Sequence, residues 1–398
     1  MTCGVRNDEG AATTSAELRA HNLARLLRAV HDGGGQHTRA DLTRQLGLAR
    51  GTATVLVREL AGRGLITELA PAEPPSAQRA RGRPTGIPST NSAGPVVLAV
   101  DLRDDSFTTA VFELTGRGTV LDRKERGTRD GRQFLAQVAA SLRKHRRELD
   151  GRVVGTGVAV PSPVRDGRMV QPTLEEWRDV DVADTLHASV GNDATLAGLA
   201  EARRGILRDV PVALHLHAAT GIGGVLLTGG QPVGGVLGSA GEFGHMPLAG
   251  GDAPCQCGAA GCWEQYAGAR GLLRAAGRSP EQGDRMLIAA QVIGSDAHAL
   301  GQVAAALGRG IGALVNAHDP DAVALSGLAG AVLTAAAEQV HDAYLAALMR
   351  FRRPSPPALL ASALGDLGPL TGAAELVFDR FLTARGLGAW IPAPAKSG

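Results

Sequence analysis

The chain has 398 residues, 44% of them hydrophobic and 3% aromatic, with a formal net charge of +2 at pH 7. That length supports two or three domains whose cores are Leu, Val and Ala packing. A net charge so close to zero does not by itself imply nucleic-acid binding, and no apolar run is long enough to form a transmembrane helix.

The charge is unevenly spread. Residues Met1–Gly94 hold 12 Arg, no Lys and 8 acidic residues, a net of +4, which leaves −2 on the remainder. A small basic head on a slightly acidic body suits a DNA-reading module joined to something else. The polar start (Thr2, Arg6, Asp8, Glu9) has no signal-peptide core, so a cytoplasmic location with reduced cysteines is expected. Residues 1–14 are expected to form a disordered tail.

Leu18, Leu23, Leu26, Leu27 and Val30 recur at helical spacing, and Gly33-Gly34-Gly35 stops that helix. Thr38 can cap a second helix, with Asp41 in its first turn and Leu42 and Leu46 inward. Gly47 ends it. A third helix after Gly51 carries Val55, Leu56 and Leu60. Helix, glycine turn and helix make a helix-turn-helix, whose second helix enters the major groove of double-stranded DNA. Arg50, Thr52, Ala53, Thr54 and Arg58 are the expected groove-facing set. Next come an alternating strand, Leu65–Leu69, a Pro/Ala-rich loop, and Arg79-Ala80-Arg81-Gly82-Arg83-Pro84 leading into extended Thr85–Thr90. This predicts a wing with Arg81 and Arg83 at a slim cationic tip, suited to a narrow minor groove. The winged helix-turn-helix is expected over residues 15–92. A small helical domain with a solvated arginine loop is the plainer alternative.

From Val96 short apolar strands alternate with helices. Val96–Val100, Phe107–Leu114 and Thr119–Leu121 read as an antiparallel hairpin, followed by a helix over Gln133–Leu149 and a strand over Val153–Val160. A second unit begins near Pro211, with strands at Val212–Leu216, Gly223–Leu227 and Ala322–Leu325. The α/β body is expected over 93–390, as lobes of roughly 93–205 and 206–390 around a sugar- or nucleotide-sized cleft.

The densest chemistry lies in residues 245–262. His245, Cys255, Cys257 and Cys262 follow the spacing His-x9-Cys-x-Cys-x4-Cys. One imidazole and three thiolates are the donor set of a closed, tetrahedral structural zinc site, which leaves no open position for catalysis. Glycines between them let the loop fold back. Disulfides using Cys3 as fourth partner are the alternative, disfavoured because Cys-x-Cys is a strained pairing.

Gly241-Glu242-Phe243-Gly244-His245 followed by Cys255-x-Cys257-Gly258-x-x-Gly261-Cys262-Trp263-Glu264 resembles the signature of the ROK family (repressors, open reading frames, kinases). Gly191-Asn192-Asp193-Ala194 resembles its Asn-Asp segment, and Thr220-Gly221-Ile222-Gly223-Gly224 its second phosphate loop. The resemblance implies an actin-like/hexokinase-like two-lobed α/β ATPase fold, here with an N-terminal winged helix-turn-helix domain, nearest the regulator branch. It also implies that Asn192, Asp193, Glu242, His245 and Glu264 bind a sugar or sugar-phosphate effector, His245 sharing its ring between zinc and ligand. In a kinase Asp193 would be the catalytic base. Its plainer role is helix N-capping, and Glu264 could be a solvated first-turn carboxylate.

Kinases of the family cradle phosphate with a hairpin resembling Asp-x-Gly-Gly-Thr; here the stretch is Asp101-Leu102-Arg103-Asp104-Asp105-Ser106. Both glycines are replaced, and two added carboxylates would repel phosphate. Ser326 departs from the double glycine of the nucleotide-side turn, and Thr173 stands where the family has asparagine. The expectation is a sugar-responsive DNA-binding regulator, a repressor and not an enzyme, acting as a homodimer or dimer of dimers. An active ATP-dependent sugar kinase with a DNA head, or an effector-independent DNA-binding dimer, are the alternatives.

Overall fold

The computed structural model describes residues 14–69, 87–128, 130–170, 180–248, 251–279 and 285–391. Helix α1 (Ser15–Asp32) starts in a capping box: the Thr14 hydroxyl accepts from the Glu17 amide, and the Glu17 carboxylate accepts from the Thr14 amide. It stops at Gly33, after which Gly34 and Gly35 take φ of +61° and +74°. Helix α2 (Arg39–Gln45) opens with the same device between Thr38 and Asp41. Helix α3 (Arg50–Gly62) buries Ala53, Leu56, Val57 and Leu60.

Three sequence expectations are corrected here. Val55 is 48% exposed and Leu18 52% exposed, while Ala53, expected to face DNA, is 1% exposed. With 3.6 residues per turn, turning Leu56 and Leu60 inward brings positions 53 and 57 onto the same face and swings 55 outward. Strand β1 (Ile66–Leu69) pairs antiparallel with β2 (Ile87–Thr90), Ile66 opposite Thr90. The connection carrying Arg81 and Arg83 lies outside the described residues, as do residues 1–13, Thr173 and the stretch from 392.

The body follows as β3 (Val96–Leu102), β4 (Ser106–Glu113), β5 (Gly118–Glu125), α4 (Gly131–Glu148), β6 (Val153–Val160), the hairpin β7 (Val164–Arg165) and β8 (Arg168–Met169), α5 (Val182–Leu186) and β9 (Ser189–Asn192). Then come α6 (Asp193–Arg204), β10 (Val212–Ala218), β11 (Ile222–Thr228), β12 (Gln231–Pro232), a 3-10 turn at Phe243–His245, α7 (Glu264–Ala267), α8 (Ala269–Ala275), α9 (Arg285–Ser295) and α10 (Ala297–His318). The chain closes with β13 (Ala322–Gly327), α11 (Leu328–Ala335), α12 (Ala337–Ala347), β14 (Ala358–Ala361), α13 (Gly368–Phe381) and α14 (Ala384–Gly388).

The two large sheets share one plan. Their strand orders are β5-β4-β3-β6-β9 and β12-β11-β10-β13-β14. In each, an antiparallel meander adds a parallel strand beside its first member: β6 on β3, β13 on β10. Every residue of β3 is buried, which explains its unbroken apolar run.

By internal contacts the chain forms two compact units. One comprises the described residues of Met1–Val160, Thr173–Val190 and Ala373–Gly398; the other, those of Pro161–Pro172 and Gly191–Gly372. In the second, Trp263, Leu307, Ile311, Leu325 and Tyr344 centre a large core of small aliphatic side chains. Among the described residues no helix is long and apolar enough to cross a membrane.

Candidate functional site

Glycines lay the stretch Gly241–His245 flat on β11. The Gly224 amide donates to the Gly241 carbonyl at 2.9 Å. A Cβ on Gly241 would stand 2.0 Å from the Gly224 carbonyl oxygen, and one on Gly244 2.3 Å from that of Ile222. No larger residue fits either position. The 3-10 turn then turns Glu242 and His245 toward each other, His245 Nε2 lying 3.7 Å from Glu242 Oε2.

The cysteine loop is closed at its base: Trp263 donates its amide to the Met246 carbonyl at 2.8 Å and its indole N–H to Ala306 at 2.9 Å. Gly258 and Gly261, at φ +93° and +73°, reverse the chain within it. His245 Nδ1 faces Cys255 Sγ at 3.5 Å, and Cys257 and Cys262 Sγ are 3.6 Å apart. The cysteines are free thiols, so the disulfide alternative does not hold for Cys255, Cys257 and Cys262.

All four donor atoms lie within 4.8 Å of one another. A tetrahedral ion with Zn–S bonds of about 2.3 Å spaces its sulfurs about 3.8 Å apart. The donor set and its spacing therefore fit a closed metal site, with Nδ1 toward the ion and Nε2 left toward Glu242. Bound zinc would supply a crosslink rather than reaction chemistry. Burial pushes the Cys262 thiol up to about 12 and raises Cys255. Burial also opposes ionisation of Cys257, but the Ala259 amide and the neighbouring thiols outweigh it and hold that thiol below its ordinary value.

Glu264 is a buried hub rather than a solvated first-turn carboxylate, being 5% exposed. Its Oε1 accepts from Arg270 at 3.1 Å, Gln265 Nε2 at 3.2 Å and Cys255 Sγ at 3.3 Å, and lies 4.0 Å from His245 Nδ1. Its Oε2 stands 2.5 Å from where a Cβ on Gly221 would be. Gly221 and Gly223 of the Thr220–Gly224 stretch are thus accounted for by close packing, against Glu264 and Ala194 respectively. Burial raises the Glu242 carboxyl, an effect opposed by His245 and reinforced by the Glu264 charge.

Asn192 and Asp193 form a second group at the start of α6. Asn192 is the N-cap, accepting from the Thr195 amide at 3.0 Å and donating to the Ser162 carbonyl at 3.2 Å. Asp193 Oδ1 accepts from the Ala194 amide at 2.7 Å and from Asn192 Nδ2 at 3.2 Å.

Sequence reasoning missed Arg270. A lone arginine in the apolar run Ala269-Arg270-Gly271-Leu272-Leu273, six residues after a glutamate, was the available signal.

In the N-terminal region Arg50, Thr52 and Arg58 of α3 are exposed; Thr54 is half-buried and returns its hydroxyl to the Arg50 carbonyl at 3.0 Å.

Comparison with known proteins supplies the family. The ROK family model matches residues 97–380. The xylose repressor of Bacillus subtilis (strain 168) is 24% identical over 375 residues, covering 87% of this chain and 92% of that protein. The glucokinase of Halalkalibacterium halodurans is 30% identical over 269 residues, 58% of this chain and 81% of that one. Among solved structures, a ROK family transcriptional regulator homologous to the E. coli MLC protein has a TM-score of 0.69 at 21% identity, covering 93% of this chain and 98% of its own. A ROK family glucokinase from Streptomyces griseus, in complex with glucose and AMPPNP, has a TM-score of 0.61 at 23% identity, covering 71% and 99%. With the family model matched over most of its length and the duplicated sheets described above, the chain belongs to the ROK family and has its actin-like, hexokinase-like α/β fold.

Proposed function

We propose that the protein is a sugar-responsive DNA-binding regulator, a repressor in the manner of its xylose repressor relative. The carrying observation is coverage: the regulator structure matches 93% of the chain, the glucokinase structure 71%. The family model begins at residue 97, and the stretch before it holds α1–α3 and the β1–β2 pair, which suit a winged helix-turn-helix over residues 15–92. In this reading Arg50, Thr52, Thr54 and Arg58 face the major groove, and Arg81 and Arg83 tip the wing. The remaining 93–390 is the effector body. Asn192, Asp193, Glu242, His245 and Glu264 bind the hydroxyls of a sugar or sugar phosphate, and His245, Cys255, Cys257 and Cys262 hold a structural zinc ion. A homodimer would present two heads to half-sites about one helical turn apart.

Loss of phosphotransfer is supported by the β3–β4 hairpin. Asp101, 3% exposed, accepts from Arg103 Nε at 2.9 Å, and Asp105 accepts from the Ser106 hydroxyl at 2.8 Å. The chain's own side chains fill a turn that a kinase leaves to glycine backbone and phosphate.

The kinase reading is favoured by the 30% identity to a glucokinase. A coupled ATP-consumption assay over D-xylose, D-glucose, kanosamine and N-acetyl-D-glucosamine separates the two. No turnover, with a rise in Tm on binding one of these sugars, supports the regulator. Turnover abolished by Asp193→Asn establishes the kinase.

A further inference from the structure

We infer that Cys257 and Cys262 are a two-electron redox switch: a peroxide joins them as a disulfide, and the joined pair opens the metal site. The disulfide rests on geometry; its effect on the metal rests on the zinc assignment made above.

The three cysteines of the loop are not alike. Cys257 is exposed, while Cys255 is 9% and Cys262 0% exposed. The chain around Cys257, from Gln256 to Ala260, is exposed throughout, and a Cβ on Gly258 would meet nothing within 4 Å. A small oxidant therefore reaches Cys257 from solvent and is kept from the other two. An accessible thiol with a second thiol beside it is the arrangement in which oxidation ends at a disulfide instead of running on to sulfinic acid.

The second thiol is Cys262. Its Sγ lies 3.6 Å from that of Cys257. A disulfide bond is about 2.05 Å long, so closure takes about 1.5 Å of movement. The chain between the two can supply it. Gly258 and Gly261 bracket that connection, both at positive φ, and glycine redistributes its backbone angles without the penalty of a Cβ. Cys255 is a poorer partner. Its Sγ donates to the buried Glu264 carboxylate at 3.3 Å and faces His245 Nδ1 at 3.5 Å. Pairing across a single intervening residue is also strained.

With hydrogen peroxide as oxidant the electrons balance. The Cys257 thiolate attacks one peroxide oxygen: an S–O bond forms, the O–O bond breaks and hydroxide leaves. The Cys262 thiolate then attacks the Cys257 sulfur: the S–S bond forms, the S–O bond breaks and a second hydroxide leaves. The two sulfurs lose two electrons, and one peroxide with two protons becomes two waters. His245 and Cys255 then remain as donors, where a closed tetrahedral site needs four. His245 Nε2 stands 3.7 Å from Glu242 Oε2, so on the regulator reading the opened site reaches the sugar-binding set.

The test is peptide mapping by mass spectrometry of the full chain before and after hydrogen peroxide, with released zinc measured alongside. Cys3→Ser is included so that the three loop cysteines are the chain's only thiols. The expected result is one Cys257–Cys262 disulfide per chain, loss of the bound zinc in step with it, and recovery of both on reduction with zinc present. Cys262→Ser, which lacks the resolving thiol, is expected to hold Cys257 as a sulfenic acid that dimedone traps. Cys255→Ser is expected to leave the disulfide forming. Thiols that peroxide leaves unaltered, a disulfide that includes Cys255, Cys257 carried on to sulfonic acid with no disulfide, or zinc retained after the disulfide has formed each overturn the switch. A chain that holds no zinc before oxidation would instead strike the zinc assignment, with the peptide map still deciding the pair.

Discussion

The carboxylate of Glu264 and the guanidinium of Arg270 meet at 3.1 Å with side-chain exposures of 6% and 7%. The same oxygen touches Cys255, whose sulfur faces His245. Arginine, glutamate and the His/Cys cluster therefore form one chain of contacts, so the metal and ligand roles proposed above would share residues. Arg270→Ala strands a buried carboxylate and is expected to cost about 3–5 kcal/mol. Chemical denaturation measures it. A loss under about 1 kcal/mol, the size of an exposed ion pair, would mean that Glu264 is not held as described.

Removing one zinc donor tests the cysteine loop. Cys257→Ser is expected to lower bound zinc from one ion per chain to near none and to reduce Tm, since a structural ion contributes its binding energy to folding. Metal content by elemental analysis, with thermal unfolding before and after chelation, reads both. An unchanged Tm in metal-free protein would remove the crosslinking role.

His215 on β10 gives a pH prediction. Burial holds its ring down to about 4, an effect only partly opposed by the Ala194 backbone beside it. A histidine depressed in the folded state binds its proton more readily when unfolded, so stability is complete above about pH 6.5 and falls as pH drops toward 4. The expected loss is on the order of 3 kcal/mol across that window. His215→Leu should flatten this slope, because the titrating ring is removed. Urea midpoints at pH 7 and pH 5 decide it; an equally steep fall in the variant contradicts the assignment.

For the N-terminal region, Arg50→Ala with Arg58→Ala should weaken duplex binding and flatten its salt dependence by about one unit of slope per lost phosphate contact. Arg81→Ala with Arg83→Ala should act likewise if the wing reaches DNA. Anisotropy titrations across a salt series give the slope, and a slope equal to wild type places those arginines away from the duplex.

How much was legible in the sequence follows from the range of each physical cause. Thr38 and Asp41, the Gly33-Gly34-Gly35 stop and the glycines of the cysteine loop act within a few residues, and they read correctly. The phase of α3 did not: Val55 and Ala53 exchange places because a short helix offers two nearly equivalent apolar stripes, and packing against its neighbours chooses between them. A buried pair, His31 with Glu375, joins residues 344 apart, which no local periodicity can announce. Gly221 was legible as a glycine but not as a seat for Glu264, because its neighbour comes from another part of the chain.

The most direct test of the regulator reading is the affinity for a duplex selected from a random pool, measured with and without D-xylose, D-glucose, kanosamine and N-acetyl-D-glucosamine. The account predicts tight binding by the full chain and a change of about 5–150-fold with at least one of these sugars. An affinity that none of them alters would contradict it.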